Sequence, residues 1–393
     1  EGEPPQLSEE AFNDLVIDQK VQELLVPKMA LLWRIPTMDG FDGGVLPLQR
    51  YNQFAQLLIP PDQFVPDGRL REQLTAVPAA ALLNLMNVQY LITDKVADLW
   101  FEDVYYDRQI GATLQVAQPE TALTLDETAA GFAATHLDLI AAADAPPAVW
   151  AELAQAAAPV AAVDVRGSDG LSTTFMLTAG GAPGALLADG ALDSPLAQAS
   201  GAAVAFRDVD GGRQEYRVRL AFDAPLAPQA LTLRLLDERF AVRVQAATLY
   251  DARTGMFVAL LPSDRGHFAR VHSGDVKIYA NRDLLPRAWL VTQTLAAADA
   301  GEAVALLQAQ LAANATSAPV TVVEGLPALA NAAPSGAGTA EIVRYAPEEV
   351  VVRTQSDAPA VLVLSDAFYP GWRAQVDGEE TAIYPANVLF RGV

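Results

Sequence analysis

With 393 residues, 51% of them hydrophobic, and a formal net charge of −22, the chain is long enough for two or three domains and too acidic to draw phosphate backbones or anionic lipid by its overall charge. No Lys/Arg cluster interrupts that acidity, so nucleic acid is not an expected partner. Cysteine is absent, which excludes disulfides, thiol catalysis and thiolate-bound zinc, and no apolar run reaches the roughly 18 residues that a membrane-spanning helix needs.

Residues 8–33 carry a helical period, with Phe12, Leu15, Val16, Val21, Leu24 and Leu25 spaced near 3.6 and with Pro27 and Pro36 bounding the end. A turn-rich passage from Pro60 to Gly68 leads into short helices over 69–76 and 79–86, and a strand over 88–92 follows directly. From Ala112 the period changes to two. Runs at 113–116, 122–125, 136–140, 160–165, 173–177, 203–206, 216–222, 230–236, 242–250 and 256–261 read as strands, with one helix at 147–158. Turn chemistry stands where hairpins need it, at Ser168-Asp-Gly170, Asp210-Gly-Gly212 and between Asp251 and Gly255. Spacing this regular predicts a β-sandwich.

Further on, 276–279 and 288–292 are predicted strands, 300–311 a helix with Asp299 as its N-cap, and 320–323 another strand. That alternation predicts a small α/β layer that takes in the strand at 88–92. Residues 325–340, rich in Ala, Pro, Gly and Ser, read as a linker. In the last segment Val361–Leu364 and the alternation of Trp372, Ala374 and Val376 are strand signals, and Asp377-Gly378 suits the two left-handed positions of a type I′ turn. The chain opens Glu1-Gly-Glu-Pro-Pro, with neither an initiator Met nor a basic-then-apolar leader, and its end reads as a sheet cut short. The expectation is a soluble excerpt of a larger protein.

The stretch from Ser365 to Gly378 (SDAFYPGWRAQVDG), continued by Asn387 and Phe390-Arg-Gly-Val393, resembles the C-terminal segment of the YfhO-type family of bacterial polytopic membrane proteins. Three other patches are similar to the family's elements in the same order. They are Met38 to Gly44 with Arg50-Tyr51, Leu85 to Thr93 (LMNVQYLIT), and Ile278 to Val291 (IYANRDLLPRAWLV). In that family the second and third elements sit close together in sequence, whereas here a long stretch parts them, so residues 116–268 read as an inserted sandwich. Its strands look like a galactose-binding-type jelly roll, an analogy of fold alone. The predicted fold class is therefore α+β, β-rich and multidomain. Residues 1–115 form an N-terminal α/β segment, 116–268 the inserted carbohydrate-binding-like sandwich, 269–335 the completion of the α/β layer and 336–393 a C-terminal β module.

The resemblance implies an extracytoplasmic region anchored on the bacterial cell membrane by helices outside this chain, within a glycosyltransferase-like protein that moves sugar from a lipid-linked donor to cell-envelope polymers. The implied partners are the protein's own transmembrane domain and an envelope glycan. In such enzymes the catalytic acid lies on a loop between the first membrane helices, so the isolated chain is expected to turn nothing over. The alternative is a non-catalytic envelope or scaffold module that makes protein contacts.

The candidate ligand-binding residues are Tyr369 and Trp372, whose rings suit the apolar face of a pyranose; Asn281, Arg287 and Asn387, which fall within the matched motifs; and Asp39 and Asp42, which flank glycines. Each also has a plain structural reading, as core packing, loop hydrogen bonding or an Asx turn. No catalytic residue, cofactor or metal is expected. His136, His267 and His272 form no ligand pattern, and a calcium-loop reading from Asp208 fails because Arg219 stands where a bidentate acid belongs.

Overall fold

The computed structural model describes residues 8–25, 29–39, 47–153, 158–179, 186–313, 320–329 and 338–393. The chain is α+β and β-rich. It divides into two compact units, one made of Glu1–Leu91 with Asn281–Val393 and the other of Ile92–Ala280. Among the described residues, no helix is long and apolar enough to cross a membrane.

The unit Ile92–Ala280 is a β-sandwich. Its strands follow one hydrogen-bonded path: Ala203–Asp208, Arg213–Leu226, Ala134–Asp144, Ala241–Asp251, Met256–Pro262, Glu120–Thr124, Pro228–Leu235, Ala158–Gly167, Ser172–Ala179 and Leu186–Leu187, with Ala112–Leu114 alongside Ala241–Asp251. The path folds back on itself, because Leu137, Leu139 and Leu249 from its first half share one core with Val163, Val165, Leu231 and Leu233 from its second. Alternation along Ala134–Asp144 explains the layering. Leu137, Leu139, Ala141 and Ala143 point into that core, while Ile140 faces the other side with Val104, Tyr106 and Ala246, and Ala142 packs there with Ala188, Ala197 and Tyr216. A central strand apolar on both faces needs a second cover. The hairpin Asp98–Phe101/Val104–Asp107 and the short helix Pro195–Ser200 provide it.

Turn chemistry sets the register. The predicted hairpins at Gly170, Gly212 and Gly255 all form, each with its glycine at positive φ. The hairpin over 98–107 was not anticipated from sequence. It turns on Glu102 and Asp103, at φ 49 and 62, without the glycine or asparagine that usually announces such a turn.

The other unit is built on a six-stranded sheet in the order Ala288–Val291, Val361–Ala367, Phe390–Gly392, Tyr384–Ala386, Thr321–Glu324, Thr294–Ala297. Neighbours are antiparallel except the last pair, which the helix Ala300–Ala313 connects as a β-α-β crossover. Asp299 caps that helix, accepting the Glu302 N–H at 3.0 Å, while the Glu302 carboxylate accepts the Ala298 N–H at 2.7 Å. The two bonds resemble a capping box, with the reach back landing on the residue before the cap. The strand predicted at 88–92 is Tyr90–Thr93 and lies outside the six-stranded sheet, so it is not part of the α/β layer, which runs from Thr294 to Glu324. Ring packing of Phe54 on Phe390, at 5.5 Å between centroids, ties the helix Gln49–Ala55 to the last strand.

Candidate functional site

The C-terminal segment places charged and aromatic side chains around one carboxylate. Asp366 is the next-to-last residue of the strand Val361–Ala367, and Arg287 just precedes the strand Ala288–Val291 beside it. The Arg287 guanidinium donates from Nε and Nη2 to Asp366 Oδ1 at 2.9 and 2.6 Å, and the Tyr345 hydroxyl donates to the same oxygen at 3.0 Å. From the neighbouring strand Phe390–Gly392, Arg391 stacks its guanidinium over the Trp372 ring, 3.9 Å from the centroid, and uses its Nε–H on the Ala367 carbonyl at 3.0 Å. Its Nη1 stands 3.9 Å from Asp366 Oδ2. Burial pushes Arg391 below its ordinary pKa, against the partial support of Asp366.

Of the residues singled out from sequence, Arg287 and Trp372 meet in this cluster. Tyr369 lies on the same turn, 55% exposed. The turn, residues 368–373, precedes the strand Ala374–Val376, so Trp372 sits before the strand instead of alternating within it. Arg287 bonds a carboxylate side chain rather than loop backbone. The others are placed elsewhere and are tied up by neighbours. Asn281 is buried, with Nδ2 donating to Asn84 Oδ1 at 2.7 Å and to the Val88 carbonyl at 3.1 Å. Asn387 is fully buried at φ 47, where its Oδ1 accepts the Val322 N–H at 2.9 Å and its Nδ2 has no partner. Asp39 is clasped by Arg71 through two hydrogen bonds of 2.8 and 2.5 Å, and Asp42 lies outside the described residues.

Motif residues that received no separate assignment also act as fasteners. Arg50 grips Glu324 through two hydrogen bonds, at 2.7 and 2.9 Å, and donates to the Val388 carbonyl at 2.9 Å. The Asn87 side chain donates to the Leu285 carbonyl at 2.7 Å. The patches that carry the family resemblance thus hold one another together within this unit.

The sandwich unit contains a polar centre that sequence reasoning missed. Lys277, fully buried, donates to Asp98 at 2.5 Å and to Asp107 at 2.9 Å. Asp107, itself buried, also takes the Tyr279 hydroxyl at 2.8 Å and Arg270 at 3.1 Å. Burial, reinforced by Asp107, pushes the Tyr279 hydroxyl far above its ordinary pKa. Two cations face two carboxylates, which satisfies the rule that buried charge be paired. With Lys277 closed to solvent, the group is suited to holding strands rather than to attacking a substrate. The one sequence signal was the cross-strand Asp98/Asp107 pair, two acids directly opposite on a hairpin that must have a cation between them.

A shallow cleft of about 620 Å3 lies at one end of the sandwich, lined by Gln115, Val116, Asp144, Pro146, Glu238 and Phe240 among others. Its neighbouring charges are engaged: Arg243 holds Asp144 at 2.7 Å, and Arg239 holds Asp237 and Glu152. Among the described residues, no group of three or more His, Cys, Asp or Glu is arranged to hold a metal ion. Of the three regions, the Asp366 cluster alone joins an exposed aromatic side chain, Tyr369, to a cation whose terminal nitrogens make no hydrogen bond among the described residues. Comparison of the chain with protein-family models, with curated proteins and with solved structures finds no match.

Proposed function

We propose that the chain is the extracytoplasmic region of a YfhO-like membrane protein and that it assists sugar transfer to cell-envelope polymers by holding a glycan on the face formed by Tyr369, Trp372, Arg287 and Arg391. The observation that supports this most directly is the Arg391–Trp372 stack, with the exposed Tyr369 on the same loop as Trp372, because aromatic faces with adjacent hydrogen-bond donors are the usual means of gripping a pyranose. Catalysis belongs to the parent protein, and the isolated chain turns nothing over. Calorimetric titration with envelope-type oligosaccharides tests the reading. Saturable binding that falls at least tenfold in Trp372→Ala and Tyr369→Ala is expected, and a broad sugar panel with no response would sink it.

A scaffold reading has one observation in its favour. Leu31, Leu32 and Trp33 are 72, 71 and 58% exposed, more apolar surface than three consecutive residues usually leave to water. On that reading the unit makes protein contacts, and substituting these residues would abolish association with the membrane domain while leaving sugar binding intact.

A further inference from the structure

Arg391 is set into the surface with less compensation than its burial requires. Its side chain is 12% exposed, and its nearest carboxylate, Asp366, stands 3.9 Å away and is already held by Arg287 and by the Tyr345 hydroxyl. Among the described residues its one hydrogen bond runs from Nε to the Ala367 carbonyl, and its terminal nitrogens make none while the side chain keeps a 12% contact with solvent. A guanidinium stays protonated in proteins, and the desolvation it suffers here is therefore not relieved by losing the proton. Arg287 and Arg391 together outnumber Asp366, which leaves one positive charge in excess within a chain whose total is −22.

We propose that the sugar held at this face bears a single anionic group, a carboxylate or a phosphate, bound by the terminal nitrogens of Arg391 while the ring lies against Tyr369. This rests on the glycan reading and narrows it to a ligand class. Arginine is suited to the task because its paired N–H groups match both oxyanions. The same chain repels a polyanion through its overall charge, so the ligand is an otherwise neutral saccharide with one acidic residue and not a densely charged polymer.

The test titrates the full chain with three probes: a glucose disaccharide, the same disaccharide with one glucose replaced by glucuronic acid, and glucose 1-phosphate. One or both anionic probes bind about tenfold or more tightly than the neutral one, the value of one charge-assisted hydrogen-bonded contact, and the arm that shows the preference identifies its source. Arg391→Gln brings the anionic probe down to the level of the neutral one. Asp366→Asn, which removes the competing charge and keeps an acceptor for Arg287, tightens the anionic probe several-fold, a gain that misfolding does not produce. Equal binding of neutral and anionic probes, a preference that survives Arg391→Gln, or an Asp366→Asn variant that melts like wild type without tightening would each overturn the proposal. If none of the three probes binds, the glycan reading fails with it.

Discussion

Asp366 draws Arg287, Tyr345 and Arg391 to one point, so its loss exposes a general property of partly buried ion clusters. Replacing it with Ala strands two guanidiniums that have given up part of their water, and the expected cost is about 2 kcal/mol, less than for a fully buried broken pair because Arg287 remains one-third exposed. A urea midpoint unchanged from wild type would show that the cluster adds nothing to folding. His136 offers a second test at this scale. Burial, and then the neighbouring Arg219, push its imidazole below the ordinary value of 6.5. The unfolded chain therefore takes up a proton near that value that the folded chain resists, so stability is full above it and falls as the pH drops through it. In His136→Gln, the fall in urea midpoint between pH 7.5 and 5.5 is expected to shrink. If wild type and variant lose stability equally, the titration lies elsewhere.

Among the elements, the strands were legible where one face is dry and the other wet. Tyr216–Phe222 and Ala230–Leu236 alternate cleanly and emerge as Arg213–Leu226 and Pro228–Leu235. Asp377-Gly378 was legible because its turn chemistry is local, and its φ values of 52 and 90 are those of the expected turn. The hairpin over 98–107 was not legible. Val104 to Asp107 are buried without alternation, and the turn residues Glu102 and Asp103 are not the ones a type I′ turn favours. That mismatch makes a prediction: Asp103→Gly relieves a left-handed strain and is expected to stabilise by roughly 0.5–1 kcal/mol, read as a raised melting temperature. A lowered melting temperature would mean that the Asp103 side chain has a role that this geometry does not reveal. The candidate site was half legible. Trp372 stood out for its ring and Arg287 for its place in a matched motif, but Asp366 and Arg391, which lie in matched segments too, and Tyr345 gain meaning only once strands far apart in sequence are paired. The buried centre at Lys277 was hidden for the same reason, since its hydrogen-bond partner Asp107 is 170 positions away.

For the whole molecule, the decisive feature is that the unit Ile92–Ala280 interrupts the other in sequence. Within the interrupted unit the two cut ends are neighbours, the Asn281 N–H donating to the Gln89 carbonyl at 2.8 Å. Removing 92–280 and joining Leu91 to Asn281 with a short Gly-Asn turn is therefore expected to leave a folded unit with a cooperative urea transition. A molten species with no cooperative transition would show that the interrupted unit depends on the inserted one.

The clasp of Arg50 on Glu324 and Val388 has a consequence for biosynthesis. Its partners are 274 and 338 positions further along, so residues 47–91 leave the ribosome long before the sheet that they pack on exists. The middle of the chain can finish its own sandwich during that interval, while Phe54 waits for Phe390 and its neighbours Ala55, Ile59 and Leu70 pack on one another. On that schedule the sandwich is complete before the unit that it interrupts, and the part of that unit made ahead of the sandwich waits longest for its partners.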